Sequence, residues 1–261
     1  MTDAELIVAG YDAVYRAYPG SPTLERIWRE GTQQSGSEDL QQISFITAAE
    51  LRQISDGLAI AHGATLLDLG CGTGGPGLWI AAQSGAHLLG LDISRVAVER
   101  AAERAERLGS AALFRVGRLE RTGLDDESVD AAISIDALQY APDKAAVLRE
   151  AARVLRPGAR VGLTTFELDR ERAAPLPIYG SDPAPDLRPL FERAGFAIEY
   201  YAETAGWRER VTRIFEAVLA ARDKLAAELG PAASTALVSE ANVALTARIY
   251  TRRVLAIARR S

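Results

Sequence analysis

Residues 64–77, Ala-Thr-Leu-Leu-Asp-Leu-Gly-Cys-Gly-Thr-Gly-Gly-Pro-Gly, carry the most explicit chemistry in the chain. An acid, Asp68, stands two positions before the first of five glycines, Gly70, Gly72, Gly74, Gly75 and Gly77. The apolar run 66–69 reads as a short buried strand, and Leu78-Trp79-Ile80-Ala81 as the opening of a helix. A glycine loop in that setting lets a nucleotide-like ligand lie against backbone, because no Cβ stands in the way. The unpaired N–H groups that open the helix then face the ligand. Asp92, 18 residues beyond Gly74, ends the next apolar run. A carboxylate there accepts both hydroxyls of a ribose. Residues 72–77 also satisfy G-x-G-x-x-G, so loop and acid by themselves fit a dinucleotide equally well.

A second set of residues is placed for work on an acceptor. Asp136 follows the fourth strand, at the carboxyl end where open α/β sheets do their chemistry. Partial burial there would raise its pKa towards a base's range. Tyr140 would orient a hydroxyl or stack on a ring. Tyr11 and Tyr15 are four apart and share a helix face, either closing over a ligand or forming a packing stripe. Trp28, Gln33 and Gln34 belong to a polar, glycine-bearing stretch that reads as a lid, and Trp207 opens the late helices. His62, beside a helix end, and His87, entering a strand, read as structural, and Cys71 as a small packing residue. With two histidines in no ligand spacing and one cysteine, no metal site and no disulfide framework is expected.

The elements that must hold these groups follow from periodicity. Residues 4–18 are helical and stop at Pro19-Gly20-Ser21-Pro22. A long helix is expected over 38–61, closed by Gly63. From 64 onward strands and helices alternate: strands at 64–69, 86–92, 112–116, 129–135 and 159–166, helices at 75–84, 94–108 and 142–155. That alternation implies an α/β fold, a parallel, doubly wound sheet with both faces covered. A Pro-rich loop (169–187), a helix (187–194) and a strand (196–203) follow. Residues 206–247 read as two Ala-rich helices split at Gly230-Pro231, and Arg252–Arg259 as a terminal strand.

Four segments occur in the order and spacing of the class I S-adenosylmethionine (SAM) dependent methyltransferases: Leu66–Gly74, Gly90-Leu91-Asp92-Ile93-Ser94, Ser128-Val129-Asp130, and Leu155-Arg156-Pro157-Gly158-Ala159-Arg160-Val161. The chain resembles that family over about residues 64–200, and within it the small-molecule, natural-product and sarcosine-type enzymes. The resemblance implies a Rossmann-like seven-stranded sheet whose last strand is antiparallel, plus a helical cap. It divides the chain into a helical arm or lid (1–63), a SAM-binding core (64–205), a cap insertion (206–247) and a returning strand (248–261). SAM would lie across the strand ends. Asp68, Gly70, Gly72 and Gly74 would meet its methionine part and Asp92 its ribose, with Ile93, Leu119, Ile135, Tyr11 and Tyr15 completing the cofactor set. Trp28, Gln139 and Trp207 would face the acceptor.

Two departures from the family pattern change what is expected. Gly117-Arg118 stands where relatives carry Gly-Asp, and an arginine has no acceptor for an adenine amino group. The Leu119 backbone or Glu120 would have to serve instead. Gln139-Tyr140 stands where sugar O-methyltransferases place paired histidines, which leaves Asp136 and Tyr140 as the catalytic candidates.

Composition is ordinary for a globular protein, with 48% hydrophobic and 25% charged residues and a formal net charge of −5. No basic block invites nucleic acid. No apolar run reaches the ~20 residues of a membrane span, and Met1–Glu5 has no charged-then-apolar leader pattern. The expectation is a cytoplasmic monomer or homodimer that moves a methyl group to O, N or C of a small molecule by direct SN2 transfer. An NAD(P)-dependent oxidoreductase and a SAM-binding protein that does not methylate are the alternatives.

Overall fold

The computed structural model describes residues 3–33, 40, 43–169 and 184–261. Its strands are β1 (Thr65–Leu69), β2 (His87–Asp92), β3 (Leu113–Val116), β4 (Val129–Ile135), β5 (Leu155–Leu168), β6 (Phe196–Glu203) and β7 (Thr251–Arg260). Its helices are α1 (Asp3–Ala17), α2 (Pro22–Thr32), α3 (Ala48–Leu58), α4 (Gly75–Ser84), α5 (Arg95–Arg107), α6 (Lys144–Val154), α7 (Arg188–Arg193), α8 (Trp207–Ala220) and α9 (Arg222–Ala247). The strands form one seven-stranded sheet in the order β3-β2-β1-β4-β5-β7-β6. The first five pair in parallel, and β7 runs antiparallel between β5 and β6. The dinucleotide alternative predicts a wholly parallel 3-2-1-4-5-6 sheet, which the reversed β7 is not.

The two faces of the sheet can be read from its alternating side chains. Leu66, Leu255 and Ile257 pack with α3 and α4, whereas Leu67, Leu69, Val254, Ala256 and Ala258 pack with α6 and α7. Period-2 alternation with both sets apolar is what a strand buried on both faces requires. A third cluster lies beyond the end of β5. There Phe166 and Leu168 meet Val14, Trp28, Phe45 and the inner faces of α8 and α9. The stretch expected as a single arm, 1–63, is therefore divided: α1 and α2 join α8 and α9, while α3 lies on the sheet.

Two local expectations are corrected and a third is extended. The helix expected over 38–61 begins at Ala48, where Thr47 and Glu50 form a reciprocal capping box; residues 44–47 are in neither helix nor strand, and 38–39 and 41–42 lie outside the described residues. The helix expected from Pro142 starts at Lys144, because the Asp143 carboxylate accepts from the Ala146 N–H and caps it. The late helices do break at Gly230-Pro231, and a further break at Ala221 separates α8 from α9. Gly230, at φ 77°, kinks α9 and lets Pro231 open a new turn. Gln34 and residues 170–183 of the Pro-rich loop lie outside the described residues, and Gln33 closes α2 in a left-handed conformation.

Candidate active site

The glycine loop is strapped to the end of β2. The amides of Gly70 and Cys71 both donate to the Leu91 carbonyl, at 2.8 and 3.0 Å. Asp92 accepts from Gly72 N through Oδ2 (2.8 Å) and from Ser94 N through Oδ1 (2.9 Å). The carboxylate keeps lone-pair capacity for a ligand hydroxyl beyond its backbone partners. Asp68 is buried, and its Oδ2 has no hydrogen-bond partner among the described residues. Burial, and after it the charge of Asp92, push its pKa up to about 8. Two glycines are sterically required. A Cβ on Gly77 would lie 2.6 Å from Asp68 Oδ2, and Gly72 has φ +52° with its missing Cβ facing the Tyr15 hydroxyl at 3.2 Å.

The remaining cofactor candidates surround this loop. Ile135 lines the same cavity as Asp68, Gly70 and Gly72. The Leu119 side chain approaches to 3.7 Å of the point where a Gly70 Cβ would stand. Ile93 is exposed at the edge, beyond Asp92. Arg118 takes up Glu120 at 2.8 Å, so that acid is already partnered. Tyr15 leans over the loop and leaves a cavity of about 40 Å³ beneath it, room for a few waters. A cleft of about 380 Å³ lies on its other side, and Tyr15 and Thr73 line both spaces.

Asp136 is not in the environment of a base. Arg253 donates to both its oxygens (Nε to Oδ1, 2.9 Å; Nη2 to Oδ2, 3.1 Å), and Ser44 Oγ and Phe45 N donate to Oδ2 at 2.8 and 2.9 Å. Burial opposes ionisation here, but the Arg253 guanidinium and these hydrogen bonds outweigh it and hold the pKa below the usual carboxylate range. The expected upward shift is thus reversed, because the burial comes with a cation. Arg253, fully buried, also donates to Glu50 (3.0 Å) and Thr204 (3.1 Å), and Arg210 donates to Glu50 at 2.7 Å. The network fixes Ser44-Phe45 against the end of β4. It also holds Asp136 at φ +50°, which costs a non-glycine residue about 1–2 kcal/mol.

Three substrate-side candidates turn inward. Gln139 is 1% exposed; its amide donates to the Asp136 carbonyl (2.6 Å) and accepts from Thr165 Oγ1 (3.0 Å). Trp28 and Trp207 are 3% and 2% exposed. Both sit in an aromatic cluster with Phe45, Phe166 and Phe215, and Trp207 Nε1 donates to Glu203. They build the cap's core and present no face to an acceptor in this conformation.

Tyr140 and Tyr11 are brought together, and with them a residue that the sequence reading missed. The Tyr11 and Tyr140 hydroxyls lie 2.7 Å apart, and Glu240 Oε1 is 3.1 Å from the first and 3.3 Å from the second. Tyr11 stacks on Tyr15 (5.8 Å) and meets Tyr140 edge-on (5.5 Å). A continuous aromatic path therefore runs from the glycine loop to α9. Burial pushes Glu240 up to about 7, against the pull of the two tyrosine hydrogen bonds. A signal for it existed: Glu240 lies three residues after Leu237 and four before Ala244, both buried, so a lone acid interrupts the apolar face of α9.

Residues 67–163 match the family model described as Methyltransferase domain. The chain is 31% identical over 162 residues to the 27-O-demethylrifamycin SV methyltransferase of Amycolatopsis mediterranei, covering 61% of this chain and 57% of that one. It is 30% identical over 171 residues to the O-methyltransferase rstn1 of Aspergillus nomiae, covering 60% and 74%. In fold it is similar to the crystal structure of the cyclase SpnF (TM-score 0.75, 23% identity, 96% and 93% covered). It is also similar to that of a putative sarcosine dimethylglycine methyltransferase from Galdieria sulphuraria (TM-score 0.71, 20% identity, 91% and 98% covered). The chain spans about half the length of the curated relatives it matches. It belongs to the class I SAM-dependent methyltransferase family.

Proposed function

We propose that this chain binds SAM at the glycine loop and transfers its methyl group to a small-molecule acceptor. The observation that carries the reading is the pair of carboxylates gathered there. Asp68 offers a buried oxygen without a partner, and Asp92 offers free lone pairs on a carboxylate already oriented by two amides. The donor set suits the ligand: a diol for Asp92, and a cationic amino acid part beside Asp68 and the amides that open α4. Bound SAM supplies an activated methyl on a sulfonium, so the protein's part is alignment and exclusion of water. Tyr15 must swing off the loop to admit a ligand of that size, which gives α1 the role of a lid over the core. The acceptor would then enter between the end of β4, α1 and α9.

Relatives named as O-methyltransferases and as sterol or squalene methyltransferases favour a small acceptor. Among the described residues no helix is long and apolar enough to cross a membrane. Calorimetric titration with S-adenosylhomocysteine tests the reading: one saturable site is expected, and its absence at millimolar ligand overturns it. Transfer from methyl-labelled SAM to a small-molecule extract then tests turnover.

A further inference from the structure

One half-buried acid, Glu240, has no role in binding the methyl donor. Glu240 projects from α9 into the space that α1 and the end of β4 enclose, and its partners there are two tyrosine hydroxyls. The titratable groups facing it are Tyr11 and Tyr15 from α1 and Tyr140 from the turn after β4. Two hydroxyl protons cannot satisfy three oxygen–oxygen edges at once, so the cluster can take one more proton or one more donor. The aromatic path Tyr15–Tyr11–Tyr140 links this cluster to the glycine loop, where the Tyr15 hydroxyl faces Gly72.

We propose that Glu240 is the catalytic base, that Tyr11 and Tyr140 hold the acceptor against it, and that the acceptor class is therefore a hydroxyl compound, a phenol or an alcohol. The inference rests on the methyltransferase reading of the site. The acceptor O–H donates to Glu240 Oε1, directly or through the Tyr140 hydroxyl. As the acceptor oxygen bonds to the methyl carbon, the carbon–sulfur bond breaks and its electron pair returns to sulfur. The acceptor's proton passes to Glu240, so a neutral ether, a neutral thioether and a protonated carboxyl result. Burial without a cation makes Glu240 a stronger proton acceptor than an exposed glutamate, which is what general-base assistance needs near neutral pH. It also distinguishes Glu240 from Asp136, whose oxygens are filled by Arg253, Ser44 and Phe45.

The test uses the full chain with labelled SAM and a panel of phenols and secondary alcohols, run beside tertiary amines. Turnover of at least one hydroxyl acceptor is expected, with a rate that climbs through about pH 7. Glu240→Gln should lower kcat roughly 100-fold or more and remove that inflection, while E240D retains part of the rate. S-adenosylhomocysteine affinity should stay within about threefold in both variants, which separates this proposal from the cofactor reading; loss of binding in the wild-type chain would sink that reading instead. An unchanged pH profile in E240Q overturns the proposal, as does turnover confined to the amines. Where no panel member reacts, carboxyl-carbon NMR of glutamate-labelled protein with S-adenosylhomocysteine decides. A resonance that titrates near 7 and is missing in E240Q upholds the base, and a Glu240 resonance that titrates below 5 overturns it.

Discussion

Asp136, buried after β4, and Glu240, half-buried on α9 beside Tyr140, are both carboxylates in a desolvating setting, and their pKa values move in opposite directions. Asp136 meets a guanidinium bound through two nitrogens and is held ionised; Glu240 meets only hydroxyls and is pushed up to about 7. Burial alone raises both. The sign is decided by what is buried with the acid. Position along the chain made Asp136 the better candidate, since it directly follows β4, yet its neighbours turn it into a clamp. The acid available for chemistry arrives from α9, more than a hundred residues later.

The clamp should give the largest effect. Arg253→Met leaves the buried Asp136 without its cation, while Glu50 keeps Arg210, and we expect a loss of about 3–5 kcal/mol in urea unfolding. A loss below about 1 kcal/mol would mean that Asp136 finds another partner and that the contrast with Glu240 is wrongly drawn. Asp136→Asn keeps the shape and part of the hydrogen bonding, so about 2 kcal/mol is expected. Because its folded pKa is depressed, Asp136 contributes stability above its unfolded pKa near 3.9 and loses it as pH falls through the lower folded value. The wild-type advantage over Asp136→Asn should therefore shrink in acid. The pH profile of methyl transfer should not change in this variant; if its neutral-pH inflection disappears, Asp136 is the base after all.

Effects at the loop should be intermediate and confined to binding. Asp92→Ala removes the ribose acceptor and the acceptor for the Gly72 and Ser94 amides, and S-adenosylhomocysteine affinity should fall about 10–100-fold by calorimetry. Asp68 makes the complementary prediction without a mutation. Its carboxyl is raised to about 8 in the free protein, so a cationic ligand that lowers it must release a proton. Binding enthalpies at pH 7 should then vary with buffer ionisation heat in the wild type and not in Asp68→Asn.

The glycine-loop half of this molecule was legible in the sequence as a strand-loop-helix unit because its residues are local. Asp68, Gly70, Gly72 and Gly74 are neighbours in the chain, and Asp92 is one strand away. The sheet was legible for a similar reason, since each strand carries its own apolar run. The acceptor half was not, because its groups meet only through tertiary packing. Arg253 looks like surface charge on a terminal strand until alternation puts it on the same face as Leu255 and Ile257, against α3. Trp28 and Trp207, expected to face the acceptor, are turned by α2 and α8 towards Phe45 and Phe166. Glu240 is one acid in an alanine-rich helix, and only Tyr11 and Tyr140, far away in sequence, make it distinctive.

The smallest expected effect probes that last cluster and has a sign that depends on pH. Tyr11→Phe removes a hydrogen bond that lowers the Glu240 pKa, so the variant's value should rise further. An acid whose folded pKa is raised binds its proton more tightly when folded. Stability attributable to Glu240 is thus greatest below its unfolded pKa near 4.3 and declines as pH rises towards 7. At pH 5 Glu240 is protonated, the lost bond is between neutral groups, and Tyr11→Phe should cost about 0.5–1 kcal/mol. At pH 8 the carboxylate is ionised and loses a charge-assisted donor, so the cost should rise to about 1.5 kcal/mol. Urea unfolding of both proteins at the two pH values reads the difference. Equal penalties would mean that Tyr11 does not bond the ionised carboxylate, and Glu240 would then depend on Tyr140 alone.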